Sequence, residues 1–231
     1  PKYLILFGLP KVGKTTILAT LENNLILDFE NGSTYIEALK VKINTLKELS
    51  EVCKAIKEAG KPYKFITIDT VTAVEELAKP MAIRMYQNSP MYSERYANIT
   101  EPSQLPNGSG YAFWRGAIEK IIDMVADCAP NLILCGHVKD ASLSENTSGS
   151  LKTLDLTGKV SRILAAKSDA IGFVHRDEDS NLCIQFGTDG EVLTGARPKH
   201  LANKDIVVAE RNPDGTFTPH WDRIYPSESN A

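Results

Sequence analysis

Short unbroken apolar runs recur along the chain, each closed by a glycine or a polar residue. Leu4-Ile5-Leu6-Phe7 ends at Gly8, Leu25-Ile26-Leu27 at Asp28, Phe65-Ile66-Thr67-Ile68 at Asp69, and Leu132-Ile133-Leu134-Cys135 at Gly136-His137. Runs of this length without alternation predict strands covered on both faces, as in a parallel sheet. Between them the apolar period changes to that of a helix. Ile17, Leu18 and Leu21 mark a helix over residues 14–24, and Leu46, Leu49, Val52, Cys53 and Ile56 mark a second. That second helix opens on a capping box, Thr45 to Glu48, and stops at Gly60 and Pro62. A third is predicted over 72–86, where Pro80 should kink or end it. A fourth over 113–128 turns Trp114, Ala117, Ile118, Ile121, Ile122 and Val125 inward. A short helix over 159–167 and a strand over 170–175 follow. Beyond them the pattern changes to short strands, 182–186, 192–193 and 206–209, parted by the turn signals Asp179-Ser180-Asn181, Thr188-Asp189-Gly190 and Asn212-Pro213-Asp214-Gly215.

Strand–helix alternation followed by short strands predicts an α/β fold, a mostly parallel central sheet flanked by helices with a C-terminal antiparallel extension. One domain accounts for the chain: a core over 1–175, an extension over 176–225 and a frayed tail over 226–231. Two stretches carry no period and are expected to be long loops. Residues 87–110 interleave Tyr92 and Tyr96, with Tyr111 just beyond, among Arg84, Arg95 and Arg115. This mix suits stacking on single-stranded nucleic acid, and equally an irregular surface excursion. Residues 138–158 have a flexible-looking centre at 146–150, and Lys139 and Lys152 are outnumbered by Asp140, Glu145 and Asp155.

Composition adds mainly exclusions. The 231 residues are 42% hydrophobic and 24% charged, with a formal net charge of −3, so no global field attracts nucleic acid. Cys53, Cys128, Cys135 and Cys183 are scattered, with no metal-ligand spacing, and are expected to be reduced core residues. No apolar run is long enough for a membrane span and no signal segment is evident, so a cytoplasmic location is expected.

The chemistry concentrates at the first strand–helix junction. Gly8, Leu9, Pro10, Lys11, Val12, Gly13, Lys14 and Thr15 fit the phosphate-loop pattern in full, with Thr16 next, after an apolar strand and before a helix. The glycines let successive backbone N–H groups face phosphate oxygens. The helix start adds partial positive charge. Lys14 can bridge β- and γ-phosphates, and the Thr15 hydroxyl can ligate Mg²⁺. A nucleoside triphosphate is the implied ligand. The run ending at Asp69 has the Walker B form, giving Thr15 and Asp69 as the Mg²⁺ pair. Thr70, not a carboxylate, follows Asp69. Glu30, at the end of the second strand read over 25–30, either orients the attacking water or is a solvated strand end. His137, at the tip of its strand and level with Asp69, reads as a sensor of the γ-phosphate.

With these motifs the chain resembles RecA-like P-loop ATPases, and among them the small phage-encoded ATPases of recombination and single-strand annealing. The resemblance rests on residues 8–15, 27–32, 66–69 and 134–137. It implies ATP and Mg²⁺ as cofactors, Glu30 as catalytic carboxylate and His137 as γ-phosphate sensor. It also implies single-stranded DNA as partner through the two long loops. A ring or filament of identical subunits would share ATP across interfaces, with a single-strand-binding protein as a further partner. Arg197 or Lys199, in Gly195-Ala196-Arg197-Pro198-Lys199, resembles the basic finger that such assemblies supply in trans. For a phage protein the location would be the bacterial host cytoplasm. A GTPase is rejected: Asp155-Leu156-Thr157-Gly158 fits one of its motifs, but Asn203-Lys204-Asp205 misses the guanine-reading pattern by one residue. A small-molecule kinase or a non-catalytic assembly protein remains open beside the ATPase.

Overall fold

Burial on both faces is what the apolar runs require, and the strands they form obtain it. The computed structural model describes residues 1–30, 35–144, 147–157, 159–187 and 190–226. Strands β1 (Tyr3–Gly8), β2 (Asn24–Asp28) and β4 (Phe65–Asp69) are buried at every position except Tyr3. With β3 (Lys40–Lys42), β5 (Asn131–Ser144) and β7 (Ala170–Arg176) they pair in parallel, and β8 (Leu182–Gln185), β10 (Asp205–Arg211) and β11 (Phe217–Pro219) continue the sheet antiparallel. The order is β11-β10-β8-β7-β1-β5-β4-β2-β3, with β6 (Thr147–Leu154) on β5 and β9 (Gly195–Ala196) on β7. Strand β5 therefore lies between the strand that enters the phosphate loop and the strand that ends in Asp69.

Two apolar cores sandwich the sheet. One face packs under α2 (Leu46–Glu58), α3 (Val71–Gln87), α4 (Ser109–Ala126) and α5 (Val160–Lys167). The other packs α1 (Lys14–Ala19) against the antiparallel extension and the 3₁₀ turn at Trp221–Arg223. The Thr45 hydroxyl accepts from the Glu48 N–H at 3.1 Å, and the Glu48 carboxylate accepts from the Thr45 N–H at 3.2 Å, so the capping box forms as read.

Several expectations are corrected. The first helix ends at Ala19, not at residue 24. Thr20 and Trp221 donate to the Ile17 carbonyl at 2.8 and 3.2 Å, Asn24 donates to that of Leu18 at 3.0 Å, and Asn23 takes a left-handed φ of 54°. Pro80 neither ends nor breaks α3, which runs on to Gln87. The proline is exposed, so the carbonyl it cannot pair with faces water, while Ala78 and Ala82 stay buried. The stretch over 138–158 is largely a β-hairpin: β5 continues past His137 to Ser144 and β6 returns antiparallel from Thr147. Residues 145 and 146, the latter within the expected flexible centre over 146–150, lie outside the described residues, as do 31–34, 158, 188–189 and 227–231. Asn31 and Gly32 of the 27–32 motif and all but the first residue of the expected tail therefore fall outside them. Val192 meets Lys152 in an isolated bridge outside the named strands, so the strand expected over 192–193 is not formed. In 87–110 three 3₁₀ turns appear, and Tyr92 and Tyr96 pack on buried Tyr86 with ring centroids 6.0 and 6.5 Å away. Tyr92 and Tyr111 are the exposed tyrosines of the group, at 42% and 50%.

Thr45→Ala removes the hydroxyl half of the capping box far from the phosphate loop. It should cost about 1 kcal/mol of stability in chemical denaturation and leave nucleotide affinity unchanged.

Candidate active site

Parallel register brings the polar strand ends to one edge. Gly8 pairs with His137, and Asp69 pairs with both Cys135 and Asp28. His137 is thus two residues beyond the level of Asp69, in mid-strand and not at a tip, which corrects its expected position. Gly8 has no room for a side chain, since a Cβ there would sit 2.5 Å from the Val174 carbonyl oxygen. Gly13, at φ 120°, turns the chain into α1 with a backbone geometry that L side chains rarely adopt.

Lys14 is 6% exposed and folds back over the loop, donating to the Gly8 and Leu9 carbonyls at 2.9 and 2.8 Å. Burial lowers its pKa, opposed by Cys135, Asp69 and Glu30. The Thr15 hydroxyl donates to Asp69 at 2.7 Å. Burial raises the Asp69 pKa; hydrogen bonds from Thr15 and Cys135 oppose this, and the carboxylates of Asp28 and Glu30 add to it. Glu30 follows the end of β2 and is held twice: it accepts from the Thr70 hydroxyl at 2.5 Å and lies 3.0 Å from His137 Nε2. These groups line one cavity of about 490 Å³ that also touches Pro10, Lys11 and Thr16.

A hydroxyl and a buried carboxylate 2.7 Å apart form an all-oxygen pair suited to a hard divalent cation. Burial, which pushes the Asp69 pKa up, is a setting in which a carboxylate gains from a nearby cation. Thr15 and Asp69 therefore fit Mg²⁺, and Lys14 with the loop fits a phosphate chain.

The family model described as an AAA domain matches residues 1–207. The chain belongs to the AAA domain family. This makes it a P-loop NTPase, a class that binds nucleotide and usually uses Mg²⁺. Its fold is α/β, a mostly parallel central sheet flanked by helices, with the antiparallel strands at the C-terminal edge. A KaiC-like protein from the hyperthermophilic archaeon Pyrococcus horikoshii OT3 is similar in structure, at 13% identity over 94% of this chain and 89% of that chain, with a TM-score of 0.49. No curated protein sequence matches the chain. No helix among the described residues is long and apolar enough to cross a membrane.

The structure gathers most of the expected site of this AAA domain and scatters the rest. Lys14, Thr15, Glu30, Asp69 and His137 come together. Arg197 does not join them: it donates to the Ala166 carbonyl at 2.7 Å and lies 3.6 Å from Asp169, whose carboxylate accepts from the Lys2 and Tyr3 N–H groups. That is the opposite end of β1, roughly 17 Å of strand away from the loop. Lys199 is exposed in the same segment. Arg176, at the end of β7, is a basic residue beside the loop, and its Nη2 would lie 3.3 Å from a Cβ on Gly13. Its guanidinium stacks 4.9 Å from the Phe217 ring centroid. A second cavity, about 170 Å³, opens between Arg176, Phe217, Leu182, Pro219 and the Gly13–Thr16 side of the loop. Arg176 and Thr70 are the site residues that motif reading passes over. The signal for Arg176 was its place at the C-terminal end of a strand, where ligands of such sheets bind.

A raised native pKa at Asp69 means that the folded protein holds this proton to higher pH than the unfolded chain does. Its contribution therefore falls as pH rises from the unfolded value, about 3.9, through the native value, and the full cost of burying the charge is present at neutral pH. Asp69→Asn should raise the melting temperature of nucleotide-free protein near pH 7, with the advantage shrinking towards about pH 4. The same substitution should remove the stabilisation by Mg-ATP, which thermal melts with and without ligand will show.

Proposed function

We propose that this AAA domain is a Mg²⁺-dependent ATPase in which Glu30 positions and deprotonates the attacking water. The observation that carries the reading is the Thr70–Glu30–His137 chain beside Asp69. Thr70 stands where AAA proteins usually have a carboxylate, and its hydroxyl instead holds the carboxylate that arrives from beyond β2. Bound Mg²⁺ would supply charge compensation at the phosphates. Lys14 would leave the Gly8 and Leu9 carbonyls for phosphate oxygens. Arg176 adds cationic charge in cis, and the cavity it forms with Phe217 offers the nucleobase a flat, mostly apolar seat. His137 keeps Glu30 aimed while the γ-phosphate is present and is free to release it afterwards.

Single-stranded DNA is the partner we propose, and the β5–β6 hairpin is its contact. What supports this is continuity: the hairpin grows directly out of His137, and its base is tied to α3 by Thr157 donating to Glu75 and Thr72 donating to the Asp155 carbonyl at 3.2 Å. A strand bound there would bear on Glu30 through His137. The two lysines are engaged locally, Lys139 3.4 Å from Asp155 and Lys152 over Phe173, so few phosphate contacts and a shallow salt dependence are expected. Sharing of ATP between identical subunits, with Arg197 or Lys199 acting in trans, would require those residues to leave their own edge for a neighbour's loop.

Glu30→Gln should bind Mg-ATP normally and hydrolyse it ~10²–10⁴-fold more slowly, whereas Lys14→Ala should lose binding itself. Normal turnover by Glu30→Gln would move the base elsewhere. Arg176→Ala should impair activity at every protein concentration. If instead only Arg197→Ala or Lys199→Ala impairs it, and mixing either with Lys14→Ala restores turnover, the charge comes in trans. Shortening the hairpin within residues 141–151 should abolish stimulation by single-stranded DNA and spare basal turnover. An unchanged DNA response would remove the hairpin from that role.

A further inference from the structure

Core strand β7 and the adjacent extension strands β8 and β10 carry a second, unrelated constellation on the face turned away from α1. His175 on β7 pairs directly with Cys183 on β8, Cys183 pairs with Val207 on β10, and Asp205 lies two residues before Val207 on the same side. One ligand atom from each of His175, Cys183 and Asp205 falls within 4.8 Å of the other two. The spacing in sequence hides this, because the three residues meet only when three strands align.

The hydrogen bonding around His175 calls for a cation. Nδ1 lies 3.3 Å from the Arg176 carbonyl oxygen, which can only accept, so Nδ1 carries a proton. Nε2 faces both oxygens of Asp205, at 3.0 and 2.9 Å, again only acceptors. A ring with one N–H can donate to only one of these sides, and a metal ion on Nε2 would answer the other. A backbone carbonyl on Nδ1 and the lone pair of Nε2 turned to the other ligands is also the arrangement that orients metal-binding histidines. Cys183 is 3% exposed, and its Sγ lies 3.8 Å from Asp177, which in turn accepts from the Asn181 backbone and side chain.

We propose that His175 Nε2, Cys183 Sγ and an Asp205 oxygen form a transition-metal site for Zn²⁺ or a similar borderline-soft divalent ion, with solvent as fourth ligand. One sulfur, one imidazole and one carboxylate suit such an ion and do not suit Mg²⁺ or Ca²⁺, which take oxygen. Binding releases the thiol proton of Cys183, and the second imidazole proton where present, to solvent, so affinity rises with pH. The ion would join β7, β8 and β10 directly behind Arg176, stiffening the wall of the cavity beside the phosphate loop. This site stands independently of the ATPase reading, since none of its ligands belongs to the phosphate loop.

The test uses the reduced, metal-stripped full chain without nucleotide, titrated with Co²⁺ alone. A sulfur-to-cobalt charge-transfer band saturating at one ion per chain, and displaced by Zn²⁺, is expected. Cys183→Ser should abolish the band. Asp205→Asn, at an exposed position, should weaken Co²⁺ binding by at least ~10-fold, the scale on which even outer-shell partners act. Lys14→Ala should keep the full band while losing ATP, which separates this site from the nucleotide site. No band in folded wild-type protein, or a band that survives Cys183→Ser, overturns the proposal. If Cys183→Ser melts at the purification temperature, Asp205→Asn decides: unchanged Co²⁺ affinity rejects the site.

Discussion

A carboxylate driven into the interior of the sheet edge, Asp69, sets the terms for everything around it. Its position comes from β4, five buried residues that leave the side chain 6% exposed between β2 and β5. Asp28 is buried one strand away, and Glu30 lies nearby, so three acidic groups share one cavity. Such an arrangement is unfavourable by itself. Lys14 and the Thr15 hydroxyl offset part of it, and a bound cation would offset more. Local stability is thereby made dependent on ligand, a recurring trade at functional sites.

Within the acidic cavity, Glu30 is the carboxylate whose position depends most on its neighbours. Glu30 is not a rigid part of the sheet; it follows the last paired residue of β2 and is fixed by Thr70 and His137. Each anchor belongs to a different mechanical element. Thr70 caps α3, accepting from the Ala73 N–H at 3.4 Å. His137 belongs to the strand that becomes the outer hairpin. A displacement of either element would reach one carboxylate through a single hydrogen bond, so in the proposed ATPase no longer path is needed to link a surface event to Glu30.

Motif and period made the parallel core and the heart of the site legible, because both depend on local sequence. The phosphate loop needs its glycines consecutively placed, and a doubly buried strand needs an unbroken apolar run. Residues 8–15 and the run ending at Asp69 therefore announced themselves. What escaped depends on pairing between distant segments. The hairpin over 138–154 has few apolar residues and its two strands pair with each other, so polarity made it read as a loop. Pro80 looked disruptive because sequence does not say which side of a helix faces water. Arg197 drew notice for its glycine and proline neighbours, whereas Arg176 reaches Gly13 through the parallel pairing of β1 with β7.

That pairing also explains why the antiparallel extension belongs with the site. Alternation along β7 sends Arg176 to the α1 face and His175 to the opposite face. On the α1 face, Trp221 donates to the Ile17 carbonyl and to the Thr20 hydroxyl, at 3.2 and 3.1 Å, and so takes over carbonyl contacts that a longer helix would have kept internal. The short α1 is thus held by residues two hundred positions away. A loop that must accept phosphate cannot be stiffened from within without filling the space the phosphates need. Stiffness supplied from behind, through the extension, leaves the loop open and still fixes where its N–H groups point.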